Sequence, residues 1–162
     1  MDRRMRDAVR ALVMDPDRNV LLVHFDWPGS DVPGGFWACP GGGIEPGEDS
    51  HAALRRELLE EVGLRDPCIG PAVWRKSHVW DMPGWDGQTD TYYVVNVDHF
   101  EPVPQLTPEE LRRENVHGVR WFSPEDVARG AVVFSPRGLS SHLAELWRDG
   151  PPPRAPRDIP PL

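Results

Sequence analysis

At 162 residues the chain has the size of one ordinary domain, long enough to bury a core without disulfide or metal staples. Charged residues make up 27% of it, and no apolar run approaches the roughly eighteen residues that a membrane helix needs. The formal net charge of −8 argues against a nucleic-acid backbone as partner, and two isolated cysteines, Cys39 and Cys68, give neither a thiolate metal site nor a disulfide framework.

The first residues, Met1 to Arg6, are charged and lack the apolar stretch of a secretory signal, so cytoplasmic residence is the expectation. Asp7 to Met14 reads as a strand, followed by a turn at Asp15-Pro16-Asp17-Arg18-Asn19 and a second strand from Val20 to Phe25, together a predicted hairpin. Asp26 to Gly35, rich in Pro, Gly and Asp, is a predicted loop that leads through Phe36-Trp37-Ala38-Cys39 into the turning residues Pro40-Gly41-Gly42-Gly43. The strongest helix signal spans Asp49 to Val62, with Asp49 or Ser50 as N-cap and Gly63 placed to end it. Strands are predicted at Val73 to Trp80, Thr89 to Val97 and Val116 to Phe122. Helices are predicted at Thr107 to Glu114, Ser123 to Arg129 and Arg137 to Arg148. The pattern gives an α+β fold, with a mixed sheet covered by helices and a single domain over residues 1–149. The proline-rich tail, 150–162, is expected to stay extended or disordered outside the core.

On the central helix Glu57, Glu60 and Glu61 stand at i, i+3 and i+4, within about 100° of the helix circumference. Like charges so spaced repel by roughly 0.2–0.5 kcal/mol per pair, a conflict that a divalent cation removes. Carboxylate oxygens are the hard ligands preferred by Mg²⁺ or Mn²⁺. Three glutamates on one helix form only a solvated acidic face in most proteins. Here the Gly41-Gly42-Gly43-Ile44-Glu45-Pro46-Gly47-Glu48 segment stands immediately upstream, where small residues let the backbone approach a ligand.

Taken together, Gly42 to Leu64 resembles the signature of the Nudix (MutT-like) hydrolase family. It reads glycine, five residues, Glu48, seven residues, Arg56-Glu57-Leu58, one residue, Glu60-Glu61, one residue, Gly63 and Leu64. All nine specified positions match over 23 residues. The flanking Phe36-Trp37-Ala38-Cys39-Pro40 approach and the Val119-Arg120-Trp121-Phe122 strand also look like family features. The resemblance implies an αβα sandwich and a metal site made by Glu57, Glu60 and Glu61, with Glu48 as an auxiliary carboxylate and Gly41 or Gly42 offering a carbonyl. It implies that Arg56 orients a glutamate. The implied reaction is attack of water on one phosphorus of a pyrophosphate linkage, with Mg²⁺ as cofactor, Mn²⁺ as its alternative, and Glu60, Glu61 or Glu114 as the general base.

The substrate is expected to be a small nucleotide. Trp37, Trp80 and Trp85, with Trp27, are candidates for base stacking, and Arg10, Arg75 and Lys76 for phosphate or ribose contacts. Sixteen residues after Leu64 stands Trp80, neither the proline associated with ADP-ribose hydrolases nor the tyrosine associated with dinucleoside polyphosphate hydrolases. Nucleoside triphosphates, oxidised ones included, are the first expectation, with nucleotide sugars or ADP-ribose as alternatives. A non-catalytic nucleotide-binding module and an enzyme acting on RNA 5′ ends are the competing readings; the intact box argues against the first and the acidic charge against the second. Either a monomer or a homodimer fits the sequence.

Overall fold

The computed structural model describes residues 2–161. Its elements in chain order are β1 (Met5–Met14), β2 (Val20–Phe25), β3 (Phe36–Ala38), β4 (Gly41–Gly43), α1 (Ser50–Val62), β5 (Ala72–Met82) and β6 (Trp85–Asn96). After these come α2 (Pro108–Arg113), β7 (Val116–Phe122), α3 (Pro124–Arg129), β8 (Phe134–Ser135), α4 (Leu139–Asp149) and β9 (Arg157–Ile159). No helix among the described residues is long and apolar enough to cross a membrane.

Strand β1 organises the molecule because both of its faces are apolar. With the two-residue period of a strand, Val9, Ala11 and Val13 fall on one side and Leu12 and Met14 on the other; β2 repeats this, Leu21 and Val23 against Val20 and Leu22. A strand buried on both faces needs a helical cover on each. Ala53, Leu54, Leu58 and Val62 of α1 close the first side, and Leu139, Leu143 and Leu146 of α4, with Val127 of α3, close the second. The result is the mixed sheet between helices that the sequence pattern predicts.

The strands run β8-β3-β2-β1-β6-β5-β9, with β7 also paired to β2 and β4 to β1. β1 and β6 are parallel along their whole length, from Met5 beside Gly87 to Met14 beside Asn96. The predicted β1–β2 hairpin is correct only at its base, where Met14 meets Val20. Beyond it, β4 pairs with β1 and β2 turns to pair with β3 and β7.

Three further differences concern short segments. Phe36–Ala38, for which the sequence predicts no element, and the glycine run, expected as turning residues, are strands. A Cβ on Gly41, whose φ is +147°, would drive into the Val9 carbonyl, so bare backbone lets β4 lie flat against β1. The two-residue β8 beside β3 has too little sequence to announce itself. The proline-rich tail, expected to stay extended or disordered outside the core, bends back onto it instead. Arg157–Ile159 adds a parallel edge strand to β5, and Ile159 is buried among the side chains under α4. Ion pairs from Arg75 to Asp158 and from Arg157 to Glu145 accompany that docking.

Candidate active site

Helix α1 begins where the Asp49 side chain accepts the Ala52 amide at 2.7 Å, and it ends at Gly63, whose left-handed backbone (φ 73°) lets its N–H reach the Leu59 carbonyl. Its buried face, Leu54, Leu58 and Val62, fixes its rotation against the sheet. That rotation carries Glu57 and Glu61 inward toward β4 and leaves Glu60 at the rim. Gly42 leaves room for Glu57: a Cβ there would crowd the Glu57 carboxylate, which would have to shift.

Glu114 is the C-cap residue of α2, set by the Thr107 and Glu110 capping box that starts this helix. Carboxylate oxygens of Glu57, Glu60 and Glu114 lie within 4.8 Å of one another. Burial, and then the Glu57 charge, raises the carboxyl pKa of both Glu60 and Glu114. Three anionic groups this close repel unless protonated or neutralised, and they present only hard oxygen donors.

Arg56 lies across the cluster. Its Nε and Nη2 donate to the two oxygens of Glu48 at 2.8 and 3.0 Å, Nη1 to Glu57 at 3.0 Å and to Glu60 at 3.5 Å, and Nη2 also to the Gly43 carbonyl at 3.1 Å. The Arg56 hydrogen bonds hold the Glu48 carboxyl below its ordinary value. Glu48 further accepts the Glu45 amide at 2.9 Å, closing the loop ahead of the helix.

Glu61 stands behind the cluster. It is 1% exposed; Oε1 accepts the Gly41 amide at 2.9 Å, and Oε2 is buried with no hydrogen-bond partner among the described residues. Burial, then the neighbouring Glu57 charge, pushes its carboxyl well above the usual range. An orphaned buried carboxylate oxygen beside three further carboxylates fits a divalent cation by the chemistry of its donors.

Of the remaining candidates, Arg10 stands within electrostatic reach of Glu61, and the tryptophans make their contacts elsewhere. Arg10 is largely enclosed, its Nε on Asp90 at 3.2 Å and its Nη1 on the carbonyls of Cys39 and Gly41 at 3.3 and 3.2 Å. Trp37 stacks on His24, meets Phe122 edge-on and lies under the Arg120 guanidinium. Trp80 and Trp85 flank the β5–β6 turn, Trp85 under Arg4 and Trp80 edge-on to His78. Arg75 is taken up by Asp158, while Lys76 is buried on the sheet face opposite α1, donating to Ser135 at 2.9 Å with Asp90 at 3.6 Å.

Sequence reading missed Asp90, which accepts from Gln88 as well as Arg10. Burial alone would raise its carboxyl, but Arg10 and then Lys76 hold it below the ordinary value. Alternation along Gln88-Thr89-Asp90-Thr91-Tyr92 puts three of these side chains on one face. That they meet Arg6 and Arg10 follows only from the parallel β1–β6 pairing, some eighty residues apart in sequence.

Comparison with known proteins agrees with this geometry. The family model for the NUDIX domain matches residues 4–143. An RNA pyrophosphohydrolase of Helicobacter pylori is 31% identical, covering 93% of this chain and 98% of its own length. Nucleoside triphosphatase NudI of Escherichia fergusonii is 33% identical over 78% of this chain and 87% of its own. The solved NUDIX domain of Shewanella oneidensis NrtR, determined with ADP ribose, superposes with a TM-score of 0.65 at 22% identity, over 90% of each chain. The chain belongs to the Nudix hydrolase family.

Proposed function

We propose that this protein hydrolyses the pyrophosphate linkage of a small nucleotide, with nucleoside triphosphates, oxidised ones included, as the substrate class. The observation that carries this reading is the approach of Glu57, Glu60 and Glu114 within 4.8 Å around the Arg56 guanidinium. Glu57 and Glu60 would hold Mg²⁺, or Mn²⁺ in its place, with the orphaned Glu61 oxygen facing the same charge and Glu114 beside it. When bound, the cation supplies neutralisation of phosphate charge and a lowered pKa for the attacking water. Glu114, the most exposed of the three, is the group best placed to exchange its proton with solvent, and it is assigned as general base. The water oxygen adds to one phosphorus, the bond from that phosphorus to the bridging oxygen breaks, one proton passes to Glu114 and the other remains on a product phosphate. Arg56 keeps Glu48, Glu57 and Glu60 in place throughout.

A second reading, removal of pyrophosphate from an RNA 5′ end, is favoured by the Helicobacter pylori relative and its nearly full coverage. The acidic net charge weighs against it, and Arg10 and Lys76, the basic side chains around Asp90, are buried and paired rather than offered to a phosphate backbone. The deciding experiment incubates wild-type protein and Glu57→Gln with Mg²⁺ and a panel of nucleoside triphosphates, oxidised triphosphates, ADP-ribose, nucleotide sugars and a 5′-triphosphorylated oligoribonucleotide. Release of pyrophosphate or phosphate from a triphosphate by wild type alone supports the first reading. Turnover confined to the oligonucleotide replaces it with the second, and no turnover anywhere refutes both.

A further inference from the structure

We infer that Arg10 is a positioning residue for Glu61, acting through the Pro40–Gly41 segment that both side chains touch. This rests on the reading of the glutamate cluster as a cation site. Arg10 had the look of a phosphate contact because it is a basic residue on a strand beside the box. Its surroundings give it other work. The guanidinium is anchored at Nε by Asp90 of β6, and its Nη1 donates to the carbonyls on either side of Pro40, those of Cys39 and Gly41. The Pro40 carbonyl itself accepts the amide of Ala11, at 2.9 Å. All three carbonyls of the turn are thus held by β1, two of them by one side chain.

What the turn carries on its other side is the Gly41 amide, which donates to Glu61 Oε1 at 2.9 Å. Four elements are joined in sequence: Asp90 on β6, Arg10 on β1, Gly41 on β4 and Glu61 on α1. The Gly41 amide shares its rigid plane with the Pro40 carbonyl, which Ala11 holds, and the two flanking planes are held by Arg10 through the Cys39 and Gly41 carbonyls, so Arg10 limits rotation about the dihedrals on either side of the plane that presents the amide. Glycine at this position cannot hold the orientation by itself. Its φ of +147° lies where side chains are excluded and the backbone is otherwise most free. Arg10 supplies that constraint, with a planar fork that an ammonium cannot reproduce. A lysine at 10 would keep the charge and lose the shared grip on Cys39, Gly41 and Asp90.

The test uses the metal-free protein first. Amide hydrogen exchange is followed residue by residue by nuclear magnetic resonance in wild type, Arg10→Met and Arg10→Lys, with the Val94 amide, which donates to Pro71, as a reference for the intact sheet. Mn²⁺ alone is then titrated by electron paramagnetic resonance, and kcat and KM are measured on the substrate found active. Exchange at Gly41 should accelerate at least tenfold in Arg10→Met while Val94 is unchanged. Mn²⁺ affinity should fall about tenfold and kcat with it, KM staying within twofold, and Arg10→Lys should lie between the two proteins. Unchanged Gly41 exchange would overturn the proposal, as would a raised KM with Mn²⁺ affinity intact, which would make Arg10 a substrate contact. If Arg10→Met does not fold, the Gly41 exchange of Arg10→Lys decides by the same criterion. Failure of wild type itself to bind Mn²⁺ would sink the cation-site reading while leaving the exchange result to judge the Arg10 contact independently.

Discussion

Arg56 and Glu48 form a two-point pair, Nε to Oε2 at 2.8 Å and Nη2 to Oε1 at 3.0 Å, and this pair aligns the guanidinium so that its remaining donor reaches Glu57 and Glu60. Charge-assisted forks of this kind fix orientation as well as adding energy. Arg56→Lys keeps the charge but removes the fork. Metal affinity and kcat should each fall by roughly 10- to 100-fold, the range typical when a ligand-orienting partner is lost, with the melting temperature little changed. Titration of Mn²⁺ and steady-state kinetics on the variant check this, and activity within twofold of wild type would remove Arg56 from its orienting role.

Glu114 lies outside the helix that carries the other glutamates, so its part in the chemistry can be separated from theirs. In Glu114→Gln the helix cap is unaffected, since it rests on backbone groups. The expected loss is about 100-fold in kcat, within the span of general-base removal, together with loss of the acidic limb of the pH–rate profile. A profile of unchanged shape would reassign the base to Glu60 or Glu61.

Glu61 is held in a place that disfavours its charge. A carboxyl whose folded pKa lies above its unfolded value, near 4.5, binds more protons in the folded state. Its contribution to stability is therefore full below pH 4.5 and is lost as pH rises through the folded pKa. His142 works in the opposite sense, because burial lowers its pKa from 6.5 and the folded state loses stability as the solution is acidified below that value. Comparison with Glu61→Gln cancels the histidine. In EDTA the glutamine variant should melt above wild type, and the gap should widen from pH 5 to pH 8; it should also lose more than about 100-fold in metal-dependent turnover. Calorimetry at the two pH values, with and without Mg²⁺, reads the first part, and a gap that narrows with pH would refute the burial argument.

The box and its helix were legible because their signals are local. A cap at Asp49, a terminating glycine at 63 and carboxylates at helical spacing all fall within a few turns of chain. The expected strands likewise follow from alternation within each one. What could not be read depends on partners distant in sequence. Arg10 looks the same in sequence whether it faces solvent or Asp90, and only the parallel register of β1 with β6 decides between them. Trp37 looks equally like a stacking platform and a packed ring until His24 and Arg120 are brought to it by β2 and β7. Glycine lowers strand propensity, so the run reads as a turn, and the close approach to β1 that favours glycine at position 41 is tertiary.

The tail supplies the last case, since prolines argue against regular structure yet leave Arg157-Asp158-Ile159 free to pair. Ile159 is 5% exposed and packs into the cluster that includes Trp74 and Leu146. Truncating a buried isoleucine costs roughly 2–5 kcal/mol, of which each kcal/mol lowers the melting temperature of a domain this size by about 2–4 °C. Ile159→Ala should therefore melt at least about 4 °C below wild type. Because β9 lies on the far side of β5 from β1 and β4, kcat should be unchanged. Differential scanning calorimetry and kinetics on the same preparation separate the two effects. An unshifted melting temperature would mean that the tail does not dock in solution, whereas a large fall in kcat would place this edge of the sheet within reach of the glutamate cluster.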